Sequence, residues 1–266
     1  MPRALPICAL ALLCAALVGG CGKRDETGAP VEPPDAGDRR LATQRLREIG
    51  TAMHRYHDTE GGLPTNRPGT HGRPALSWRV VILPHFADAA TAELFRKFKL
   101  DEAWDSEHNK KLIPKMPDVF ASPGKDSTAG MTHLRSFTGG AAVMPIVKEP
   151  SGRGRFLLAH IPDGPSYTLM VAEAGEPVEW TRPDDLPFPD ASAPLPKLGG
   201  VFRDGFHGLM CDGGVYFFPA SLSEPSVRAL ITIAGNDRPG KDAENVIHKP
   251  DPEQPFGTPG HPATRR

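Results

Sequence analysis

The chain has 266 residues, 39% of them hydrophobic and 24% charged, with a formal net charge of -1. That composition supplies one sizeable core or two small ones, and near-neutral charge without a basic stripe excludes a broad nucleic-acid surface. The 30 prolines and 28 glycines call for long loops and short elements, not a helical bundle.

Taken in chain order, the first segment reads as an address. "MPRALPICALALLCAALVGGC" carries one early positive charge at Arg3, then an apolar run from Ala4 to Val18 that is short for a bilayer span. "VGGC" resembles the lipobox of bacterial lipoproteins, so residues 1–20 are expected to be a signal peptide and Cys21 the acylated first residue, carrying palmitate-type chains. The expected location is the cell envelope, with the membrane as partner through the lipid anchor and the leaflet left open. Residues 21–38 continue as "CGKRDETGAPVEPPDAGD", polar and proline-rich, and read as a flexible tether spanning about 20–25 Å. Cys8, Cys14 and Cys21 all lie in this region, which leaves Cys211 alone in the body and excludes a disulfide framework or a zinc cluster there.

Residues 39–236 form the expected domain. Asp38 is a fitting N-cap, and Ala42, Leu46, Ile49, Met53 and Tyr56 make one apolar stripe at helical spacing up to His57, before "EGGLP" stops the helix. Ser77–Leu100 reads as helix broken near Pro84, and a short helix runs from after Ser106 to about Ile113. Strands are expected at Asp118–Ala121, Leu134–Thr138, Phe156–His160, Thr168–Glu173 and Leu209–Phe218. Inside the last, "CDGGVYFF" sets Asp-Gly-Gly between apolar runs, a hairpin signal. "SEPSVRALITIAG" predicts a helix capped by Ser223 and stopped by Gly235. Residues 237–266 are polar and proline-rich and read as a disordered tail.

The landmarks "LREIGTAMHRYHDTEGGLP", "LSWRVVILPHF", "LDEAWDSEHNKKL", "MPDVFASPG", "IPDGPSYTLMVAEAGEPVEWTRPDDLPF" and "LPKLGG", with the "DGG" hairpin after them, resemble in their order a planctomycete family known as domain of unknown function 1559. The resemblance covers roughly residues 41–235. It implies a pilin-like α+β fold: a long N-terminal helix packed on an antiparallel β-sheet, with additional short helices and long loops. It implies no enzymatic activity. Two departures stand out. A lipoprotein leader replaces the pilin-type apolar segment, which speaks against a filament subunit. Ser122 stands where many relatives carry cysteine.

Chemistry has few footholds. No nucleophile elbow surrounds Ser166, and Cys211 between apolar residues reads as a buried thiol. His54 and His57 have a permissive zinc spacing without a third ligand, and His207 and Asp212 beside the hairpin look ordinary. "LDEAWDSEHNKKL" is the richest stretch. Asp105 and Ser106 stand where an N-cap belongs, with acids before and lysines after, as the helix dipole prefers. Asp101 and Asp105 could instead hold calcium, the only cofactor the sequence suggests. Asp101, Glu102, Asp105 and His108 together would be the residues of a metal-dependent hydrolase, the alternative to a non-catalytic binding or scaffolding domain. "WTRPDDLPF" offers Trp180, Arg182, Asp184 and Asp185 as a recognition loop for an envelope protein partner.

Overall fold

A computed structural model describes residues 35–69, 74–123, 128–144, 157–190, 192–235 and 237–249. Cys21, the signal segment and the far end of the tail lie outside the described residues, as does Phe156.

Helix α1 (Ala36–Glu60) opens the domain and buries Ala42, Leu46, Ile49 and Met53, the stripe its spacing predicts. Asp38 falls inside its first turn instead of capping it, and Gly61 closes it with a bond from its N–H to His57 O at 2.9 Å. A short pair, β1 (Arg67–Pro68) and β2 (Pro74–Leu76), leads into α2 (Trp78–Val81). Ser77 caps α2 by accepting from Arg79 N–H, Pro84 sits in a 3-10 turn, and Asp88 caps α3 (Ala89–Phe95). The predicted helix broken near Pro84 is therefore present as three pieces.

The main sheet is antiparallel with order β3-β5-β7-β8, built from β3 (Met131–Arg135), β5 (Leu169–Glu179), β7 (Gly205–Met210) and β8 (Val215–Pro219). A separate parallel pair joins β4 (Phe137–Thr138) to β6 (Leu186–Pro187). The β7–β8 hairpin turns at Asp212–Gly214, where Gly213 has φ +90°, a conformation that side chains other than glycine resist.

Helix α1 lies lengthwise along β7. Arg39 stands over Phe217, Gly50 meets Leu209, and His54 reaches Cys211. A Cβ on Gly50 would come within 2.9 Å of a Leu209 methyl, so glycine lets helix and sheet close up. This face joins Leu46, Ile49 and Met53 to Trp78, Phe120, Trp180 and Leu209 in one core. The opposite face holds a second core of Leu169, Phe206, Met210 and Phe218 under α4 (Glu224–Ile231). Fully burying an aliphatic side chain is worth about 1.5–3 kcal/mol, so the two cores carry most of the stability. The expected α+β architecture, a long N-terminal helix over an antiparallel sheet with short helices and long loops, is what the chain adopts.

Several local expectations fail. Asp118–Phe120 and Leu158–His160 are 3-10 turns, not strands, because the backbone of each closes on itself, as in the Phe120 N–H bond to Pro117 O and the His160 N–H bond to Leu157 O. Helix α4 stops at Thr232 before reaching Gly235. The start of the expected tail is also ordered: residues 241–247 form α5 (Lys241–Ile247), with Ala243 and Ile247 buried in the second core. Those apolar residues are too few to show a period in sequence, and only the face of the sheet around Phe218 gives them a surface.

Asp242 anchors α5 by accepting from Ser223 N–H at 2.8 Å and from the Ser226 hydroxyl. The Ser226 and Ser223 bonds hold its carboxyl well below the usual carboxylate range. A carboxyl with a depressed folded-state pKa stabilises the fold above its ordinary value near 4 and loses that contribution as pH falls through the folded-state value. Asp242→Asn should therefore lower the melting temperature at pH 7, and the gap from the parent chain should shrink by pH 3.

Candidate functional site

The acid-rich stretch comes first. Its organiser is Asn109, which is buried. The Asn109 carboxamide accepts from Lys99 N–H at 3.0 Å and donates to Lys99, Glu102 and Ala103 carbonyls at 2.9–3.2 Å. Ser106 Oγ accepts from Asn109 N–H at 3.1 Å, but it is not the N-cap: the helix that follows is a 3-10 helix over Asn109–Lys115 with His108 at its N-cap and no side-chain cap bond. Asp105 is exposed and contributes nothing to the cap. Asp101 is also exposed, its carboxylate 3.8 Å from Arg67. Glu102 is held below the usual carboxylate range by hydrogen bonds from Lys99 and Ser106. His108 Nε2 lies 2.8 Å from Lys97 O. Among the described residues no group of three or more His, Cys, Asp or Glu side chains converges, so Asp101, Glu102, Asp105 and His108 are not brought to one point.

The "WTRPDDLPF" loop divides between inside and outside. Trp180 is fully buried, stacked on Phe120 at 5.8 Å and donating from Nε1 to Ile113 O at 2.9 Å. Asp185 is buried as well. Its Oδ1 accepts from Trp78 Nε1 at 3.1 Å and Ser136 N–H at 3.2 Å, and its Oδ2 from Asn66 at 2.7 Å. Beside it lies the Arg79 guanidinium, fully buried, bonded to Leu134 O at 2.8 and 2.6 Å and to Ser77 Oγ at 2.6 Å. The closest Arg79–Asp185 approach is 3.9 Å, so the carboxylate neutralises the cation across a gap while carbonyls take its protons. Burial draws the Arg79 pKa down to about 10, opposed by Asp185, and the side chain stays charged at neutral pH. Sequence reasoning missed Arg79; the signal available was "SWRVV", a lone arginine inside an apolar run. Arg182 and Asp184 are the loop's outward charges, paired at 3.2 Å, with Asp184 also bound to Arg135 at 2.7 Å. Any recognition by this loop rests on those two.

A second ionisable pair sits under α1. Glu173 on β5 and His207 on β7 are each 1% exposed. Glu173 Oε2 accepts from His207 N–H at 2.7 Å and lies 3.1 Å from His207 Nδ1. The carboxylate takes the place of a ladder carbonyl here, because Glu173 O accepts instead from Gly199 N–H at 2.8 Å. Phe202 and Phe217 flank the imidazole edge-on at 5.0 and 4.9 Å. A carboxylate-imidazole pair is acid-base chemistry in principle, but at 1% exposure no substrate reaches it. It closes the sheet where β5 and β7 diverge.

The remaining nominees also look inward. His54 Nε2 lies 3.0 Å from Cys211 O, while His57 Nδ1 is 3.5 Å from Asp58, so the two do not share a ligand position. Burial pushes the Cys211 thiol up, away from reactivity. Ser122 Oγ and Thr181 Oγ1 are buried without a hydrogen-bond partner among the described residues. A buried hydroxyl left unpaired costs about 1–3 kcal/mol. Thr181→Val and Ser122→Ala should each raise stability by about 1 kcal/mol in urea titrations.

No curated protein and no solved structure matches the chain. A family model described as a protein of unknown function (DUF1559) matches residues 39–195, from the start of α1 to the segment before β7, and takes in both the Ser77–Val81 and the Trp180–Phe188 motifs that meet at Arg79 and Asp185. The match spans more than half of the chain, which therefore belongs to the DUF1559 family.

Proposed function

We propose that this protein is a lipid-anchored envelope protein whose family domain is a non-catalytic binding or scaffolding module. The observation that carries the reading is where its ionisable side chains spend their hydrogen bonds. Arg79, Asp185, Glu173 and His207 hold backbone groups or one another in the interior. The leader and "VGGC" supply the anchor, and the polar stretch after Cys21 sets the domain off the headgroups. The surface offered to an envelope partner includes Arg182 and Asp184.

Mass spectrometry of the mature N-terminus tests the anchor. The expected species begins at Cys21 and carries acyl chains, and Cys21→Ser should move the chain from the membrane to the soluble fraction. A mature protein that starts elsewhere, or an unmodified Cys21, overturns both anchor and location. Native pull-down from envelopes with wild type against Arg182→Glu tests the binding role.

A further inference from the structure

Leu195, Leu198, Leu222 and Val227 pack one side on the second core and leave the other facing a cleft. The cleft lies where β7 begins and β8 ends, and its volume is about 300 Å³, within the range of small-molecule pockets. Phe202 and Phe206 are its most buried side chains, 6% and 5% exposed. The four aliphatic residues are only partly buried, so apolar surface stays in contact with water there. Among the described residues the lining carries one charge, Arg203, and no side chain that could accept a hydrogen bond. Arg203 is exposed and makes no hydrogen bond, ion pair or ring contact among the described residues. The neighbouring cations are already engaged. Arg39 binds Asp204 at 2.6 Å, Lys197 lies 3.5 Å from Glu176, and Arg228 binds Glu224 at 2.7 Å. Gly199 and Gly200 leave bare backbone in the wall, and the N–H groups of residues 200–203 donate to nothing among the described residues.

We propose that this cleft binds a small amphiphilic anion, with its apolar body among the aliphatic side chains and a carboxylate-type head at Arg203. A guanidinium takes a carboxylate through two parallel N–H donors, which a neutral or cationic head cannot use. At about 30 Å³ per water-sized group the cleft holds about ten carbons, too few for a two-chain phospholipid. The occupant is therefore a free single-chain acid, not a lipid still seated in a bilayer. The cleft shares no residue with the Arg182 and Asp184 surface, and the site stands whether or not the chain is anchored.

Methyl NMR of the full-length Cys21→Ser chain, which carries no acyl group, tests it with decanoate below its micelle concentration as the probe. Decanoate should shift the Leu195, Leu198, Leu222 and Val227 methyls saturably. Decanol should bind the same methyls about 2–5-fold more weakly, the worth of one exposed ion pair. Arg203→Gln should bring decanoate down to the decanol affinity and leave decanol unchanged. Leu222→Asp sets a like charge in the cleft and should abolish decanoate binding. The absence of a saturable shift at these methyls overturns the proposal. So does equal affinity for decanoate and decanol, or decanoate binding indifferent to Arg203→Gln. Vesicles of anionic phospholipid should leave the methyls unmoved; if vesicles shift them and decanoate does not, the cleft meets a membrane surface and the proposal fails. If Leu222→Asp does not fold, the head-group comparison and the exposed Arg203 variant decide.

Discussion

Asp185→Ala should lower the folding free energy by about 3–5 kcal/mol, the cost of removing one partner of a buried charge pair. The substitution strips an acceptor from Trp78 Nε1, Ser136 N–H and Asn66 Nδ2 at once. It also leaves the Arg79 cation, fully buried, with carbonyls and a hydroxyl but without its main counter-charge. At this domain size the loss corresponds to a fall of about 10 °C in Tm. Asp185→Asn keeps a carbonyl oxygen for Trp78 or Ser136 and should cost less. The pair of variants separates hydrogen bonding from charge. Equal losses in urea titration would show that neutralising Arg79 is what matters, and a negligible loss for alanine would mean that the guanidinium needs no counter-ion.

A stop codon after Asp237 is expected to cost about 2–5 kcal/mol, the range for losing a large buried aliphatic side chain. It removes Ala243 and Ile247 from the second core and takes Asp242 from Ser223 and Ser226. Ile247→Ala alone should fall at the lower end. Removing residues 251–266 instead tests whether the effect belongs to α5: the melting curve should then stay within a few degrees of the parent chain. A silent truncation at Asp237 would return α5 to the status of a tail.

Legibility tracked the range of the interactions. The stripe Leu46, Ile49 and Met53 repeats every three or four residues and needs one apolar partner of any kind, so α1 could be read directly. The Asp-Gly-Gly turn was equally local. Among the described residues, Asp118–Ala121 and Leu158–His160 of the two predicted strands carry apolar residues without a strand to pair with, and residue type alone does not say whether a partner strand arrives. The candidate site was the least legible part. "WTRPDDLPF" has the proline-aromatic-acid pattern of an exposed loop, yet Trp180 and Asp185 are interior. Two distant segments, Asn66 and Ser77–Arg79, bring donors and a cation to Asp185.

By itself the sequence determined the family, the long N-terminal helix and the hairpin, since each is written in neighbours within a few positions. Only the tertiary structure decided which charges are internal. Asp185 and Glu173 are buried because Arg79, 106 positions from the first by numbering, and His207, 34 positions from the second, meet them across the fold. It alone decided that residues 241–247 are a helix, because a short segment with two buried apolar residues holds helical structure only against a packed surface.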